Sequence, residues 1–191
     1  MKKWLKIIIV LILVSIIGVS VYKVIGINQV QTQDQFKAQQ GKQTAQNSHP
    51  ATGLNVNDET VKVFSKQNTV NLKEVTSKNE ITVINLFASW CDPCKREMPE
   101  LVKYAKNKEN GVELIGLNVK DKHKPAEQLI KNSKVNYDVY VAEDDFLKKF
   151  KAYNIPTTLF VDKNGKIKKV YLGELTEKTL TNIVTQVKEE K

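Results

Sequence analysis

The first hydrophobic feature of the chain is a long apolar run near its start. Residues 7–22 carry no charge and lie between Lys6 and Lys23, and Lys2 and Lys3 also precede the run. A helix of this length covers about 24 Å, and flanking apolar residues extend it toward the ~30 Å of a bilayer core. We predict a transmembrane segment over residues 1–27, with residues 5–27 in contact with lipid. Because the positive charges precede it, the N-terminus should stay in the cytoplasm.

This run is compatible with an uncleaved signal-anchor or with a cleaved signal peptide. The small-residue site Gly18-Val19-Ser20 matches a cleavage site poorly, and the apolar run is long for a signal core. We therefore favour the uncleaved anchor. Either alternative places the rest of the chain outside the cytoplasm.

The pattern becomes polar over residues 28–57. This stretch is rich in Gln, Asn and Thr, and Phe36 is its only aromatic residue. It has too few apolar side chains to offset the entropy cost of ordering. We expect a flexible stalk that tethers a folded domain, residues 58–191, close to the membrane.

Beyond the stalk, strand and helix patterns alternate. Residues 81–89 form a near-continuous β-branched and aromatic run, typical of a strand buried on both faces. Asn164-Gly165 predicts the turn of a β-hairpin. Further strands are predicted over residues 69–75 (with a turn), 111–119, 137–141, 157–162 and 166–173, and helices over residues 94–108, 124–134, 144–153 and 175–188. The order of elements predicts an α/β sandwich with a mixed sheet.

Composition narrows the function classes. Of the 191 residues, 41% are hydrophobic and 27% charged, which is typical of a globular chain rather than a disordered one. The net charge of +9 comes from lysines spread along the whole length. A nucleic-acid surface would concentrate that charge and interleave aromatic residues, so no nucleic-acid partner is expected.

The only cysteines, Cys91 and Cys94, are separated by two residues. A structural zinc site needs four ligands, and the two histidines, His49 and His123, have no partner at ligand spacing. A copper site that includes His123 remains open. A structural disulfide would close a very small loop and restrict the unfolded chain little. We predict no metal site and no cofactor.

A redox pair makes use of the surrounding elements. A buried strand ends just before Cys91 and a helix begins at Cys94, so Cys91 lies where unpaired N–H groups and the helix dipole stabilise a thiolate. Cys94, one turn later, is expected to be more buried and to act as the resolving thiol. Pro93 suits the first helical turn because it lacks an N–H.

The segment "FASWCDPCKREMPEL" resembles the active site of the thioredoxin superfamily, specifically its TlpA/ResA-like membrane-anchored members. Trp90 precedes the first cysteine, Pro99 follows the second by five residues, and "NIPTTLF" resembles the cis-proline segment, with Pro156 as its counterpart. The resemblance covers residue 69 to the C-terminus. It implies a thioredoxin-like three-layer sandwich with a mixed central sheet, preceded here by the transmembrane helix.

The same resemblance implies a surface that receives a peptide substrate. In such proteins the cis-proline loop lies against the cysteines and presents backbone groups, which assigns substrate binding to Ile155, Pro156 and Thr157. Trp90 and Pro93 are expected to contribute from the cysteine side. An ordinary trans proline that opens a strand is the alternative for Pro156.

One position departs from plain thioredoxins. They have a buried Asp beneath the cysteines, where this chain has Asn85, which cannot accept the resolving thiol's proton. The resemblance to TlpA/ResA-like proteins instead points to Glu97, one turn beyond Cys94, as the catalytic acid–base group. The alternative is an exposed glutamate paired with Lys or Arg.

Together these features predict an extracytoplasmic, membrane-anchored thiol-disulfide oxidoreductase that uses Cys91, Cys94 and Glu97. Its expected partners are exported proteins with disulfides or thiols and a membrane electron donor. Ile155 before the proline favours a reductase, although reduction potential sets the direction. A disulfide-forming oxidase or isomerase remains an alternative, as does a non-catalytic copper- or protein-binding module.

Overall fold

The computed structural model describes residues 49–66 and 68–190. The predicted transmembrane segment, residues 1–27, and most of the predicted stalk lie outside these ranges. Among the described residues, no helix has the length and apolar character needed to cross a membrane.

Strands and helices alternate along the described part of the chain. They are β1 (Thr60–Val63), β2 (Thr69–Asn71), α1 (Leu72–Thr76), β3 (Ile81–Phe87), α2 (Asp92–Asn107), β4 (Val112–Val119), α3 (His123–Asn132), β5 (Asp138–Ala142), α4 (Asp144–Lys149), β6 (Thr157–Asp162), β7 (Ile167–Leu172) and α5 (Glu177–Glu189).

The strands form one mixed sheet in the order β2-β1-β5-β4-β3-β6-β7. Strands β3, β4 and β5 are parallel, whereas β6 is antiparallel to β3 and β7 is antiparallel to β6. All seven residues of β3 are buried, as its continuous apolar pattern predicts for a strand covered on both faces. The α/β sandwich with a mixed sheet is therefore confirmed.

Helices cover the two faces of this sheet. Helices α2 and α5 share one apolar cluster with side chains of β3, β4 and β6, whereas α1 and α4 belong to a second cluster built on alternate positions of the same strands. A third, smaller cluster contains both cysteines and Met98 of α2. The cysteine pair thus sits in packed apolar surroundings at one end of the sheet.

The folded unit begins before residue 58, where the composition places the end of the stalk. Ala51 and Val56 are fully buried. Gly53 donates a main-chain hydrogen bond to Ile167 of β7, whose own N–H donates to Leu54. Ala51 and Val56 alone do not form a periodic apolar pattern, and hydrogen bonds between main chains do not depend on side-chain type. Residues 49–57 therefore look like a linker in sequence although they are part of the folded unit.

Other boundaries also differ from the predictions. Strand β1 and helix α1 were not predicted because each is short, although Asn71 and Glu74 form a capping box at the start of α1. Helix α2 begins at Asp92, two residues earlier than predicted, which makes Cys91 its N-cap. Helix α4 ends at Lys149 rather than at residue 153.

Candidate active site

Cys91 and Cys94 form a disulfide at the start of α2, with their Cα atoms 5.3 Å apart. Both are buried, with 4% of Cys91 and none of Cys94 exposed. The Cys94 N–H donates to Cys91 Sγ at 3.2 Å. Cys91 therefore occupies the N-cap position, where a reduced sulfur would face the positive end of the helix dipole.

Glu97 is buried one turn beyond Cys94, on the same side of α2. Its Oε1 accepts a hydrogen bond from Asn85 Nδ2 at 2.9 Å, and its Oε2 accepts one from the Leu175 N–H at 2.9 Å. Burial raises the pKa of Glu97 to about 7, although both hydrogen bonds oppose the shift. A carboxyl group with that pKa can exchange a proton near neutral pH.

Asn85 lies beneath this carboxyl group on β3 and is fully buried. Its Nδ2 also donates to Thr158 Oγ1 on β6 at 3.0 Å, so it joins β3 and β6 to α2. Among the residues that the structure describes, Asn85 Oδ1 has no hydrogen-bond partner. At position 85 the chain thus has an amide group that donates a hydrogen bond to Glu97, not a second carboxylic acid.

The predicted substrate loop lies beside the cysteines. The Ile155–Pro156 peptide bond is cis, and Ile155 packs against the cluster that contains Cys91 and Cys94. Thr157 pairs with Leu86, near the end of the strand that leads to the cysteines. The Pro156 carbonyl accepts a hydrogen bond from the Gly173 N–H at 2.9 Å.

Trp90 and Pro93 flank the first cysteine. Pro93 is half-buried in the first turn of α2. Trp90 is 59% exposed, yet its indole N–H donates to the Lys120 carbonyl at 2.9 Å. A large apolar side chain is therefore held in a fixed orientation next to the disulfide and remains open to a partner.

Asp121, in the loop between β4 and α3, lies next to the cysteine turn and was not predicted. Its carboxylate accepts hydrogen bonds from the N–H of Ser89 and, at 2.7 Å, from the Ser89 hydroxyl. Asn118 Nδ2 and the Lys122 N–H also donate to it, at 3.0 and 2.8 Å. Burial opposes ionisation, but these hydrogen bonds outweigh it and lower the pKa of Asp121. The available signal was a polar residue just after a predicted strand, which does not by itself show that this strand pairs with the cysteine strand.

The basic residues after Cys94 form ion pairs at the surface. Lys95 Nζ lies 2.8 Å from Asp92 Oδ1. Arg96 binds Glu174 through two nitrogens, which fastens α2 to the residue before Leu175. This pair therefore lies next to the hydrogen bond between Leu175 and Glu97.

The histidines lie apart from the cysteines in sequence and have other roles. His123 opens α3, and its ring stacks on Phe64 with centroids 4.7 Å apart. His49 Nδ1 accepts a hydrogen bond from the Ala51 N–H. Across residues 49–66 and 68–190, no group of three or more His, Cys, Asp or Glu residues is arranged to hold a metal ion.

Known proteins resemble this chain in sequence. The model of the Redoxin family matches residues 32–187. Thiol-disulfide oxidoreductase ResA of Halalkalibacterium halodurans is 30% identical over 125 residues, which are 63% of this chain and 69% of that protein. The protein of the same name from Bacillus subtilis is 29% identical over 113 residues, 58% of this chain and 63% of that protein. The chain thus spans less than two thirds of the length of the second relative.

Solved structures show the same fold. A thioredoxin-related protein from Neisseria meningitidis serogroup B superposes with a TM-score of 0.61 at 24% identity, covering 69% of this chain and 99% of that one. StoA from Bacillus subtilis gives a TM-score of 0.57 at 22% identity, covering 70% and 98%. The mixed sheet and its helices are therefore thioredoxin-like. With the family match over most of its length, the chain belongs to the Redoxin family as a TlpA/ResA-like member of the thioredoxin superfamily.

Proposed function

We propose that this protein is a thiol-disulfide oxidoreductase that reduces disulfides of exported proteins. The observation that carries the proposal is the Cys91–Cys94 disulfide at the N-terminus of α2, with the buried carboxyl group of Glu97 one turn away. The relatives named thiol-disulfide oxidoreductase ResA support the reaction class.

The reaction begins from the reduced pair. The Cys91 thiolate, stabilised at the helix N-terminus, attacks one sulfur of a substrate disulfide and releases the other as a thiolate. Cys94 then attacks the Cys91 sulfur of the mixed disulfide. The substrate leaves with two thiols, having gained two electrons, and the Cys91–Cys94 disulfide remains. A membrane electron donor would reduce it again.

Glu97 serves the second step in this scheme. Cys94 must lose its proton to attack, and an acceptor with a pKa of about 7 matches that transfer at neutral pH. The hydrogen bonds from Asn85 and Leu175 fix the carboxyl group in its buried position. The cis-proline loop, with apolar Ile155 against the cysteine cluster, would receive the substrate chain.

The N-terminal pattern supports a place of action outside the cytoplasm. The uncharged run of residues 7–22 with lysines before it supports a single-pass anchor, with the N-terminus in the cytoplasm and the thioredoxin-like domain outside. Exported proteins are then the available substrates. The apolar residue before Pro156 favours reduction as the net direction.

Trapping of the mixed disulfide tests the reaction. A reduced Cys94→Ser protein should accumulate a stable mixed disulfide with an added disulfide peptide, because the resolving sulfur is absent. Cys91→Ser should accumulate none, since Cys94 has no exposed surface, whereas Cys91 is partly accessible at the helix N-cap. Equal trapping by both variants, or by neither, would contradict the assigned order.

The direction is tested in cells of the source organism by rapid acid quench and alkylation with a mass-tagging thiol reagent. A pair found mostly reduced would support a reductase with a dedicated donor. A pair found mostly oxidised would favour disulfide formation.

A further inference from the structure

The turn that carries the attacking cysteine is fixed by a neighbouring loop. Cys91 N–H donates to the Ala88 carbonyl, which closes a turn with Ser89 and Trp90 at its two central positions. Both central residues are bound by the loop after β4. Asp121 accepts from the N–H and hydroxyl of Ser89, and the Lys120 carbonyl accepts from the Trp90 indole.

The loop that makes these bonds is itself held in one conformation. Lys120 has a φ of 48°, in the left-handed region that few non-glycine residues adopt. Asp121 is secured by Asn118 Nδ2, which also donates to the Phe87 carbonyl at 3.3 Å. The ends of β3 and β4 are thus connected through one half-buried carboxylate.

We propose that Asp121 is a positioning residue that acts through Ser89 to hold Cys91 and Trp90 in the orientation needed to engage a protein disulfide. The inference rests on the proposed function, because it concerns the docking of that substrate. An attack on a disulfide requires the two substrate sulfurs and the Cys91 sulfur to be aligned, so a small misplacement is costly. A small alkylating reagent approaches the thiolate without docking and has no such requirement.

Asp121→Asn is the direct test, since it keeps the size of the side chain but replaces an accepting oxygen by an NH2 group. This group cannot accept the hydrogen bonds that reach that oxygen. The test compares two rates. The first is insulin reduction by the pre-reduced protein, which supplies two electrons per molecule. The second is alkylation of Cys91 by iodoacetamide in a Cys94→Ser background. Alkylation is followed across pH, so that the limiting rate of the thiolate is compared.

We expect insulin reduction to fall about tenfold in Asp121→Asn, while the limiting alkylation rate stays within about twofold. Ser89→Ala, which removes only the hydroxyl bond, should lose less, and it provides a second test if Asp121→Asn does not fold. The matched control is Asp162→Asn. The Asp162 carboxylate accepts hydrogen bonds from the N–H groups of Asn164 and Lys166 in the β6–β7 turn. Asp162→Asn therefore also loosens a loop, but one at the end of β6 that is remote from Pro156.

The outcomes separate the inference from the proposed function. If the wild-type protein fails to reduce insulin, the proposed function fails and the inference fails with it. If the wild-type protein is active and Asp121→Asn reduces insulin as fast as Asp162→Asn, only the positioning role is overturned. Parallel loss of insulin reduction and of limiting alkylation would also overturn it, because the cysteine itself would then be disrupted.

Discussion

Glu97 combines two properties that oppose each other in most proteins, because it is an ionisable group and it is almost completely buried. Its two hydrogen-bond donors, Asn85 and Leu175, favour the charged form, but burial outweighs them and raises the pKa. Structural requirements alone would favour an apolar residue at this position. A carboxyl group kept there at this cost makes Glu97 a candidate for the proton-transfer role proposed for it.

The raised pKa makes stability depend on pH with a defined sign. Between the ordinary value near 4.5 and the folded value of about 7, the folded state holds the proton that the unfolded state has lost. The free energy of unfolding therefore falls as pH rises through this window, and the Glu97 contribution changes by about 2 kcal/mol between roughly pH 5 and pH 8.

Glu97→Gln should remove this dependence, because the amide does not titrate. Urea unfolding of the oxidised proteins near pH 5 and pH 8 would measure it. We expect the stability of the wild-type protein relative to Glu97→Gln to be higher at the lower pH, by about 2 kcal/mol. A difference between the two proteins that stays constant with pH would contradict the raised pKa.

At the scale of elements, the β6–β7 turn is connected to the segment before β1. Asn55 and Asn57 side chains both donate to the Asn164 carbonyl at 2.8 Å, and the Val56 N–H donates to the Gly165 carbonyl. Gly165 has a φ of +81°, and a Cβ built there would lie 2.0 Å from Asn57 Oδ1. Glycine is thus required both for the backbone conformation and for the close approach.

Gly165→Ala should therefore destabilise the protein by more than the left-handed conformation alone costs. The matched control is Gly53→Ala, since Gly53 has a φ of +91° but, beyond its two chain neighbours, no atom of the described residues lies within 4 Å of an added Cβ. We expect Gly165→Ala to lose at least about 1 kcal/mol more than Gly53→Ala in urea unfolding. Equal losses would mean that the segment before β1 yields freely to the new methyl group.

The elements also show what the sequence could predict. Strands β3, β4 and β6 were predicted because a strand buried on both faces leaves a continuous apolar run. β1 was not predicted because, of its four residues, only Val61 is buried. The same limit applies at the site. The cysteine pair and Pro156 each lie in a short motif of their own, whereas Asp121 acquires its partners only when β4 pairs with β3. No local pattern records that adjacency.

At the scale of the whole molecule, the mixed sheet brings the functional groups to one end. β3 and β4 are parallel, so the loops that follow them, with Cys91 and Asp121, lie at the same end of the sheet. β6 runs antiparallel to β3, so the N-terminal end of β6, next to Pro156, lies at this same end of the sheet. β7 reverses once more and delivers Gly173 and Leu175, which contact Pro156 and Glu97. Four separate connections thus form one site because of strand direction alone.

Residues 49–57 form the N-terminal boundary of the folded domain. Val56 is fully buried, and the segment of residues 49–57 pairs through its main chain with β7, the edge strand of the sheet. A chain that starts at residue 58, where composition places the domain boundary, would lose this burial and leave the edge of β7 open. Burial of one valine side chain alone contributes roughly 1.5–3 kcal/mol.

We therefore expect the chain of residues 58–191 to be less stable than the chain of residues 48–191 by at least about 2 kcal/mol. Both lack the same predicted membrane segment, so the comparison isolates residues 48–57. Urea unfolding of the two oxidised proteins measures the difference, and light scattering would detect association through the open edge of β7. Identical unfolding midpoints would show that these residues belong to the stalk, as their composition suggests, because a segment that packs as described must contribute to the stability of the domain.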